Sequence, residues 1–167
     1  MENLKVLVID DNQLELAILG GTLARLFPGA TLLAAQTGQE GLEVAAMHDP
    51  DVVVLDILLP GMSGYAVCRR LKNSRRMRDI AVLFLTAFDA GSMSHAKALQ
   101  AGAEGFLCKP YDLQELRTEI LALAKSKAMR VRNRQLREEL GEETAEHHRA
   151  ENALIQISLL NQSPCWL

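Results

Sequence analysis

The chain has 167 residues, of which 49% are apolar and 23% are charged, and its formal net charge is −3. This composition is typical of one globular domain with some chain left over, and the apolar runs are far shorter than the ~20 residues of a membrane span. We therefore expect no membrane partner, and the acidic pI of 5.8 argues against a nucleic-acid partner.

The first third of the chain alternates short apolar runs with amphipathic segments. A run rich in β-branched residues predicts a buried strand over residues 4–9. Asn12 and Glu15 have the spacing of a helix N-cap, and leucines follow at helical intervals as far as Leu26. The same reasoning predicts a strand over 30–35, a helix over 37–48 and a strand over Val52–Leu55.

The alternation continues after a loop that contains Gly61 and Gly64. We predict a helix over 65–72, a strand over 80–85, a helix over 92–101 that Gly102 ends, and a strand over 105–108. Asp112 and Glu115 form a capping box that begins the last helix. Five strands that alternate with five helices predict an α/β fold with a parallel sheet covered by helices on both faces.

Residues 125–167 differ in character from residues 1–124, and we predict a helical signalling linker there. They hold seven basic and six acidic residues, and a heptad-like seam runs through them. Its members are Met129, Asn133, Leu136, Leu140, Glu143, His147, Ala150, Leu154 and Ile157. Polar residues in the seam, together with Gly141, predict only a weak coiled coil that extends the last helix. A parallel homodimer through Leu136, Leu140, Leu154 and Ile157 is a further hypothesis.

Polar side chains follow the predicted strands of residues 1–124. Asp10 and Asp11 follow the first strand, Asp56 the third, Thr86 the fourth and Lys109 the fifth. Because the carboxyl ends of parallel strands meet at one edge, we expect these side chains to converge. Three ionised carboxylates repel one another unless a cation is bound or their pKa values rise. Mg²⁺, which prefers oxygen ligands, is the expected cofactor.

These residue types suit the formation of an acyl phosphate. Asp56 would supply the nucleophilic oxygen, Lys109 a positive charge, and Thr86 a hydroxyl that donates to a phosphoryl oxygen. Any one of the acids taken alone is more typical of a helix cap or a loop. Their coincidence at several strand ends favours a site.

At these positions the chain resembles the receiver domains of response regulators in two-component signalling. The resemblance covers residues 4–124 and rests on VIDDN at 8–12, VLDILLPGMSG at 54–64, LTA at 85–87 and FLCKP at 106–110. It implies a flavodoxin-like, doubly wound sheet of order 2-1-3-4-5. It also implies that Asp56 is the phosphoacceptor and that Asp10, Asp11, Asp56 and the backbone carbonyl of Leu58 hold the metal.

The same resemblance implies a switch and a partner. Thr86 and Lys109 become the phosphoryl-sensing pair, and Phe106 stands where the family has an aromatic switch residue. The donor is a sensor histidine kinase or a histidine phosphotransfer protein, and the face that switches is formed by the fourth helix, the fifth strand and the fifth helix. The peptide bond between Lys109 and Pro110 is expected to be cis.

Two positions that influence phosphoryl hydrolysis in this family carry apolar residues here. They are Leu58 and Phe88, two residues beyond Asp56 and Thr86 respectively. Neither side chain can orient an attacking water, so we predict slow self-dephosphorylation.

Two alternatives to this interpretation stay open at the level of the sequence. One is an enzyme on the same fold, either a phosphatase or a nucleotide-binding protein, although no glycine-rich phosphate loop follows the first strand. The other is a stand-alone regulator. We favour the N-terminal part of a larger signalling protein with a kinase, cyclase or sensor output.

The predicted location is the cytoplasm. No basic segment followed by an apolar stretch begins the chain, so we read no secretory signal. The three cysteines, Cys68, Cys108 and Cys165, are an odd number without CxxC spacing, which argues against both a disulfide framework and a zinc cluster.

Overall fold

The computed structural model describes residues 3–87 and 91–160, and Phe88 and Cys165 lie outside this range. Within it, strands and helices alternate along the chain. Their order is β1 (Lys5–Ile9), α1 (Gln13–Leu26), β2 (Thr31–Ala35), α2 (Gly38–His48), β3 (Val52–Leu55), α3 (Gly64–Asn73), β4 (Ala81–Ala87), α4 (Gly91–Ala101), β5 (Gly105–Lys109) and α5 (Leu113–Leu160).

The strands form one parallel sheet of order β2-β1-β3-β4-β5. This confirms the predicted fold class and topology. β1 is an interior strand, and its Val8 pairs with Ala34 of β2 on one side and Val54 of β3 on the other. The chain therefore leaves β1 first toward one edge of the sheet and later toward the opposite edge. A crevice forms at the carboxyl ends of the strands where this reversal occurs.

The two faces of the sheet carry separate cores because successive side chains of a strand point to opposite faces. In β1, Leu7 and Ile9 face one core, and Val6 and Val8 face the other. Residues of α2, α3 and α4 complete the first core, including Leu42, Val67, Leu71 and Ala98. Residues of α1 and α5 complete the second core, including Leu19, Leu23, Leu116 and Ile120. This double coverage explains why β3 is buried along its whole length.

The last two strands run further than the sequence indicates. β4 reaches Ala87 and β5 reaches Lys109, so Thr86 and Lys109 are strand residues rather than loop residues. Thr86 pairs with Cys108, and Ala87 pairs with Lys109. The apolar pattern ends earlier because Thr86 and Lys109 are polar, although Thr86 is itself buried, and the ladder of backbone hydrogen bonds does not depend on the polarity of the side chains.

The final helix is long, as predicted, and continues through Gly141. The chain divides into two compact units, Met1–Met129 and Arg130–Leu167. In the first unit, the Lys127 ammonium donates to the Asp49 carboxylate at 2.9 Å and to the Pro50 carbonyl at 2.9 Å. In the second unit, Leu140 and Leu154 are exposed. None of the helices in the described part of the chain combines the length and the apolar character that a membrane span requires.

Candidate functional site

A cleft of about 340 Å³ opens at the carboxyl ends of β1, β3, β4 and β5. It is lined by Asp10, Asp11, Asn12, Glu15, Asp56, Leu58, Thr86, Ala87 and Lys109. The structure thus brings together the acids, the threonine and the lysine that the sequence places at the strand ends. Asn12, Glu15 and Ala87 are additions to that set.

Asp10 is held by the turn between β1 and α1. Its backbone N–H donates to the Ala35 carbonyl at 3.2 Å, which fixes the residue at the edge of the sheet. Its side chain is nearly buried, and Oδ1 accepts a hydrogen bond from the Asn12 N–H at 2.9 Å. The Asn12 side chain in turn caps α1 by accepting from the N–H groups of Leu14 and Glu15. Asp11 lines the cleft from an exposed position.

Asp56 is held by the loop between β3 and α3. Its N–H donates to the Ile9 carbonyl at 3.0 Å, and its Oδ2 accepts from the Leu58 N–H at 3.1 Å. The loop then folds back, so that the Gly64 N–H donates to the Ile57 carbonyl at 2.9 Å. A Cβ atom at position 64 would overlap the Asp56 carbonyl oxygen, so this close return requires glycine.

The carboxylates of the cleft carry poorly compensated negative charge. Burial raises the pKa of Asp10 above its usual value, and the negative charges of Glu15 and Asp11 raise it further. The hydrogen bond from Asn12 and the positive charge of Lys109 lower it, but the net shift is upward. Burial also raises the pKa of Asp56, and the charge of Asp10 raises it further. Such a site favours a bound cation, because a positive charge relieves the repulsion.

Lys109, at the end of β5, contributes the positive charge of the cleft. Burial alone would lower the pKa of Lys109, but its hydrogen bond to Glu15 and the charges of Glu15, Asp10 and Asp56 raise it. The Lys109 ammonium lies 2.5 Å from Glu15 Oε2 and 3.8 Å from Asp10 Oδ2. The peptide bond between Lys109 and Pro110 is cis, as the sequence resemblance implies.

Glu15 makes a contact that the sequence does not indicate. The predicted N-cap at Asn12 is confirmed, since the Asn12 side chain accepts from the N–H groups of Leu14 and Glu15. The Glu15 carboxylate reaches across the cleft to Lys109. The position of Glu15 in the sequence could have indicated this contact. Glu15 lies in the first turn of a helix that starts at the cleft, where a long acidic side chain is within reach of the site.

Thr86 and Phe106 lie on the neighbouring strands β4 and β5. Thr86 is buried and lines the cleft directly. Phe106 is half-buried on β5, and its ring stacks on His95 of α4 with centroids 5.0 Å apart and an angle of 14° between the planes. No pattern in the sequence indicates His95 as a partner of Phe106.

The donor set of the cleft fits a hard divalent cation. In the part of the chain that the structure describes, no group of three or more His, Cys, Asp or Glu side chains is arranged as a metal cage. The carboxylates that line the cleft are those of Asp10, Asp11 and Asp56, and carbonyl oxygen and water could complete the shell of a cation. Mg²⁺ is usually bound in that way, since it keeps several of its waters.

Comparison with known proteins shows which family the chain resembles. Residues 6–121 match the response regulator receiver domain family. The chain is 36% identical over 124 residues to the response regulator PleD of Caulobacter vibrioides, a match that covers 74% of this chain and 26% of PleD. The chain spans about a quarter to a half of the length of the curated relatives that it matches.

Two solved structures show the same fold. A response regulator receiver domain protein from Clostridium thermocellum is 29% identical, with a TM-score of 0.67 over 75% of this chain and 98% of that one. The receiver domain of sensor histidine kinase PA1611 from Pseudomonas aeruginosa PAO1 is 24% identical, with a TM-score of 0.66 over 74% and 98% of the two chains. That receiver domain has a magnesium ion coordinated in its active site cleft.

Proposed function

We propose that this chain, which belongs to the response regulator receiver domain family, accepts a phosphoryl group on Asp56. Members of this family are phosphoacceptor modules of two-component signalling, and membership implies a partner histidine kinase. The donor in our proposal is the phosphorylated histidine of that kinase or of a histidine phosphotransfer protein. The observation that carries the proposal is the convergence of Asp10, Asp56, Thr86 and Lys109 on one cleft.

In the transfer, a carboxylate oxygen of Asp56 forms a bond to phosphorus while the bond from phosphorus to the donor imidazole nitrogen breaks. The imidazole keeps the electron pair of that bond. The Lys109 ammonium and the Thr86 hydroxyl stabilise the phosphoryl oxygens, whose charge must be compensated in this partly buried cleft. Both groups line the cleft from the ends of neighbouring strands.

The proposed cofactor is Mg²⁺, held by Asp10, Asp11, Asp56 and the backbone carbonyl of Leu58. When bound, the metal neutralises negative charge on the transferring phosphoryl group. The raised pKa values of Asp10 and Asp56, together with the oxygen donors of the cleft, support this assignment. The magnesium ion in the PA1611 receiver domain supports it as well.

The proposed output of phosphorylation is a population shift in the face built by α4, β5 and α5. The phosphoryl group adds about −1.5 to −2 charges and attracts the Thr86 hydroxyl. Movement of Thr86 toward the phosphoryl group leaves a space, which Phe106 fills. Phe106 is half-buried on β5 and contacts α4 through His95.

The proposal extends to the rest of the chain. We assign residues 1–124 to the receiver and residues 125–167 to a helical linker that leads to an output domain of a larger signalling protein. Leu136, Leu140 and Leu154 are exposed at heptad spacing and support a homodimer, whereas the Ile157 side chain lies outside the described residues. The described cysteines, Cys68 and Cys108, are free thiols, in keeping with a cytoplasmic location.

The decisive experiment for the acceptor is labelling with acetyl phosphate. We expect phosphorylation that requires Mg²⁺ and disappears in Asp56→Asn, while Asp79→Asn, outside the cleft, keeps it. Labelling that persists in Asp56→Asn would overturn the assignment of the acceptor.

The homodimer is tested by analytical ultracentrifugation of the full chain and of Leu136→Glu/Leu140→Glu. We expect a larger mass for the wild type than for the variant, and a wild-type monomer at high concentration would reject the dimer.

A further inference from the structure

Two residues far apart in the chain form the shortest ion pair of the cleft. The Glu15 and Lys109 side chains meet at 2.5 Å although 94 positions separate them. The next carboxylate, that of Asp10, is 3.8 Å from the same ammonium. The preferred partner of Lys109 in this state is therefore Glu15, which lies on the wall of the cleft, rather than the acid beside the acceptor.

The exposure of the Glu15–Lys109 pair and the acids around it determine how strongly Lys109 is held by Glu15. The Lys109 side chain is 25% exposed and the Glu15 side chain is 45% exposed. Solvent therefore screens the pair in part, and its strength stays within the modest range of surface ion pairs. Asp56 also acts on Lys109 through its charge. Several acids thus compete for one ammonium, which has three hydrogens to donate.

The position of Glu15 is fixed by the fold rather than by the ion pair. Asn12 accepts hydrogen bonds from the N–H groups of Leu14 and Glu15 at 3.0 and 3.4 Å, which sets the first turn of α1 against the cleft. Only the side-chain torsions of Glu15 and Lys109 have to change for the pair to open. Lys109 is a flexible point charge, so its ammonium can exchange partners without a backbone movement.

We propose that Glu15 is a positioning residue that holds Lys109 in the unphosphorylated protein and competes with the Asp56 phosphoryl group for its ammonium. This inference rests on the proposed function. On phosphorylation, the Lys109 ammonium leaves the Glu15 carboxylate and pairs with the phosphoryl group on Asp56. The loss of the pair with Glu15 offsets part of the stabilisation that the new pair provides. Glu15 also adds a negative charge to a cleft that must admit a negatively charged donor. Both effects disfavour the phosphorylated form.

The first test compares wild type with Glu15→Gln, which keeps the size of the side chain and removes its charge. We expect Glu15→Gln to bind beryllofluoride, a phosphoryl mimic, about two- to fivefold more tightly in the presence of Mg²⁺, as expected for the loss of a competing, partly screened ion pair. Its labelling by acetyl phosphate should be faster. Glu15→Asp, which keeps the charge but is one methylene shorter, should fall between the two.

The matched control is Glu43→Gln. Glu43 is exposed on α2, accepts a hydrogen bond from Gln39 and lies outside the lining of the cleft. The substitution changes the net charge of the protein by the same amount, so a general charge effect would appear in both variants. Equal affinities for beryllofluoride in Glu15→Gln, Glu43→Gln and wild type would refute the role of Glu15.

The second test reads the ion pair directly and does not depend on phosphorylation. In nitrogen-15 NMR spectra of the lysine ammonium groups, we expect the Lys109 signal to shift and to exchange faster with water in Glu15→Gln than in wild type. An unchanged Lys109 signal overturns the inference even if the chain accepts phosphate. If the signal changes but no phosphoryl group or mimic binds to wild type, the proposed function fails while the Glu15 to Lys109 pair stands.

Discussion

Gly64 lies directly against the backbone carbonyl of Asp56, at the point where the loop after β3 turns back into α3. The contact joins the first residue of a helix to the proposed phosphoacceptor. It explains why a glycine follows Ser63, the N-cap residue whose side chain accepts a hydrogen bond from the Ala66 N–H. The geometry of the cleft is therefore set by packing of the loop as much as by the charged side chains.

Gly64→Ala should damage the cleft and lower stability. The added methyl group has to displace the Asp56 carbonyl or the start of α3, and overpacking of this kind costs about 1–3 kcal/mol. We expect a lower urea midpoint and reduced labelling by acetyl phosphate. Gly20→Ala is the control, since a Cβ atom at position 20 of α1 meets open space. Wild-type labelling in Gly64→Ala would show that the contact is not required.

Lys127→Met should destabilise the fold at the opposite end of the sheet from the cleft. The Lys127 ammonium is buried and donates to the Asp49 carboxylate and to the carbonyls of Asp49 and Pro50. Lys127→Met removes the donor and leaves these oxygen atoms without its hydrogen bonds, which lowers the free energy of unfolding by about 1–3 kcal/mol. Urea unfolding measures the loss. Lys125→Met, at an exposed position of the same helix, should change stability by no more than about 0.5 kcal/mol.

Asp56→Asn should stabilise the folded protein at neutral pH when no divalent cation is present. Burial and the charge of Asp10 raise the pKa of Asp56 in the folded state above its ordinary value of 3.8. The folded state therefore holds the proton more tightly than the unfolded chain, and this contribution to stability is lost as the pH rises through the folded pKa.

Urea midpoints measured from pH 4 to pH 7 test this sign. The advantage of Asp56→Asn over wild type should be largest at pH 7 and should shrink toward pH 4, where the wild-type carboxyl group takes up its proton. Added Mg²⁺ should raise the midpoint of wild type more than that of the variant. An advantage of Asp56→Asn that grows on acidification would contradict the raised pKa.

The phosphorylated form should decay slowly, and Leu58→Asn should shorten its lifetime. Leu58 lines the cleft and is 76% exposed, so the side chain that borders the space near Asp56 is apolar and offers no hydrogen bond to an attacking water. An amide at this position can hold such a water by hydrogen bonds. The decay of labelled protein after removal of acetyl phosphate gives the lifetime. A wild-type lifetime of seconds would disprove the prediction.

Much of this fold could be predicted because its signals are local. The run VVVL of β3 is buried on both faces and therefore apolar throughout, and the cap at Asn12 is visible as a short motif. The candidate site could be predicted for a related reason. In a parallel sheet every strand ends at the same edge, so the polar residues after Ile9 and Leu55 have to lie near one another.

The contacts that only the tertiary structure decided join residues that are distant in sequence. Glu15 fits a capping motif and Lys127 lies at an ordinary helical position, yet their partners are 94 and 78 positions away. The stacking of His95 on Phe106 likewise depends on how α4 packs beside β5. Periodicity along a chain reports which side of an element is buried. The partner that a charged or aromatic side chain meets depends on how the elements pack, and no local pattern encodes that choice.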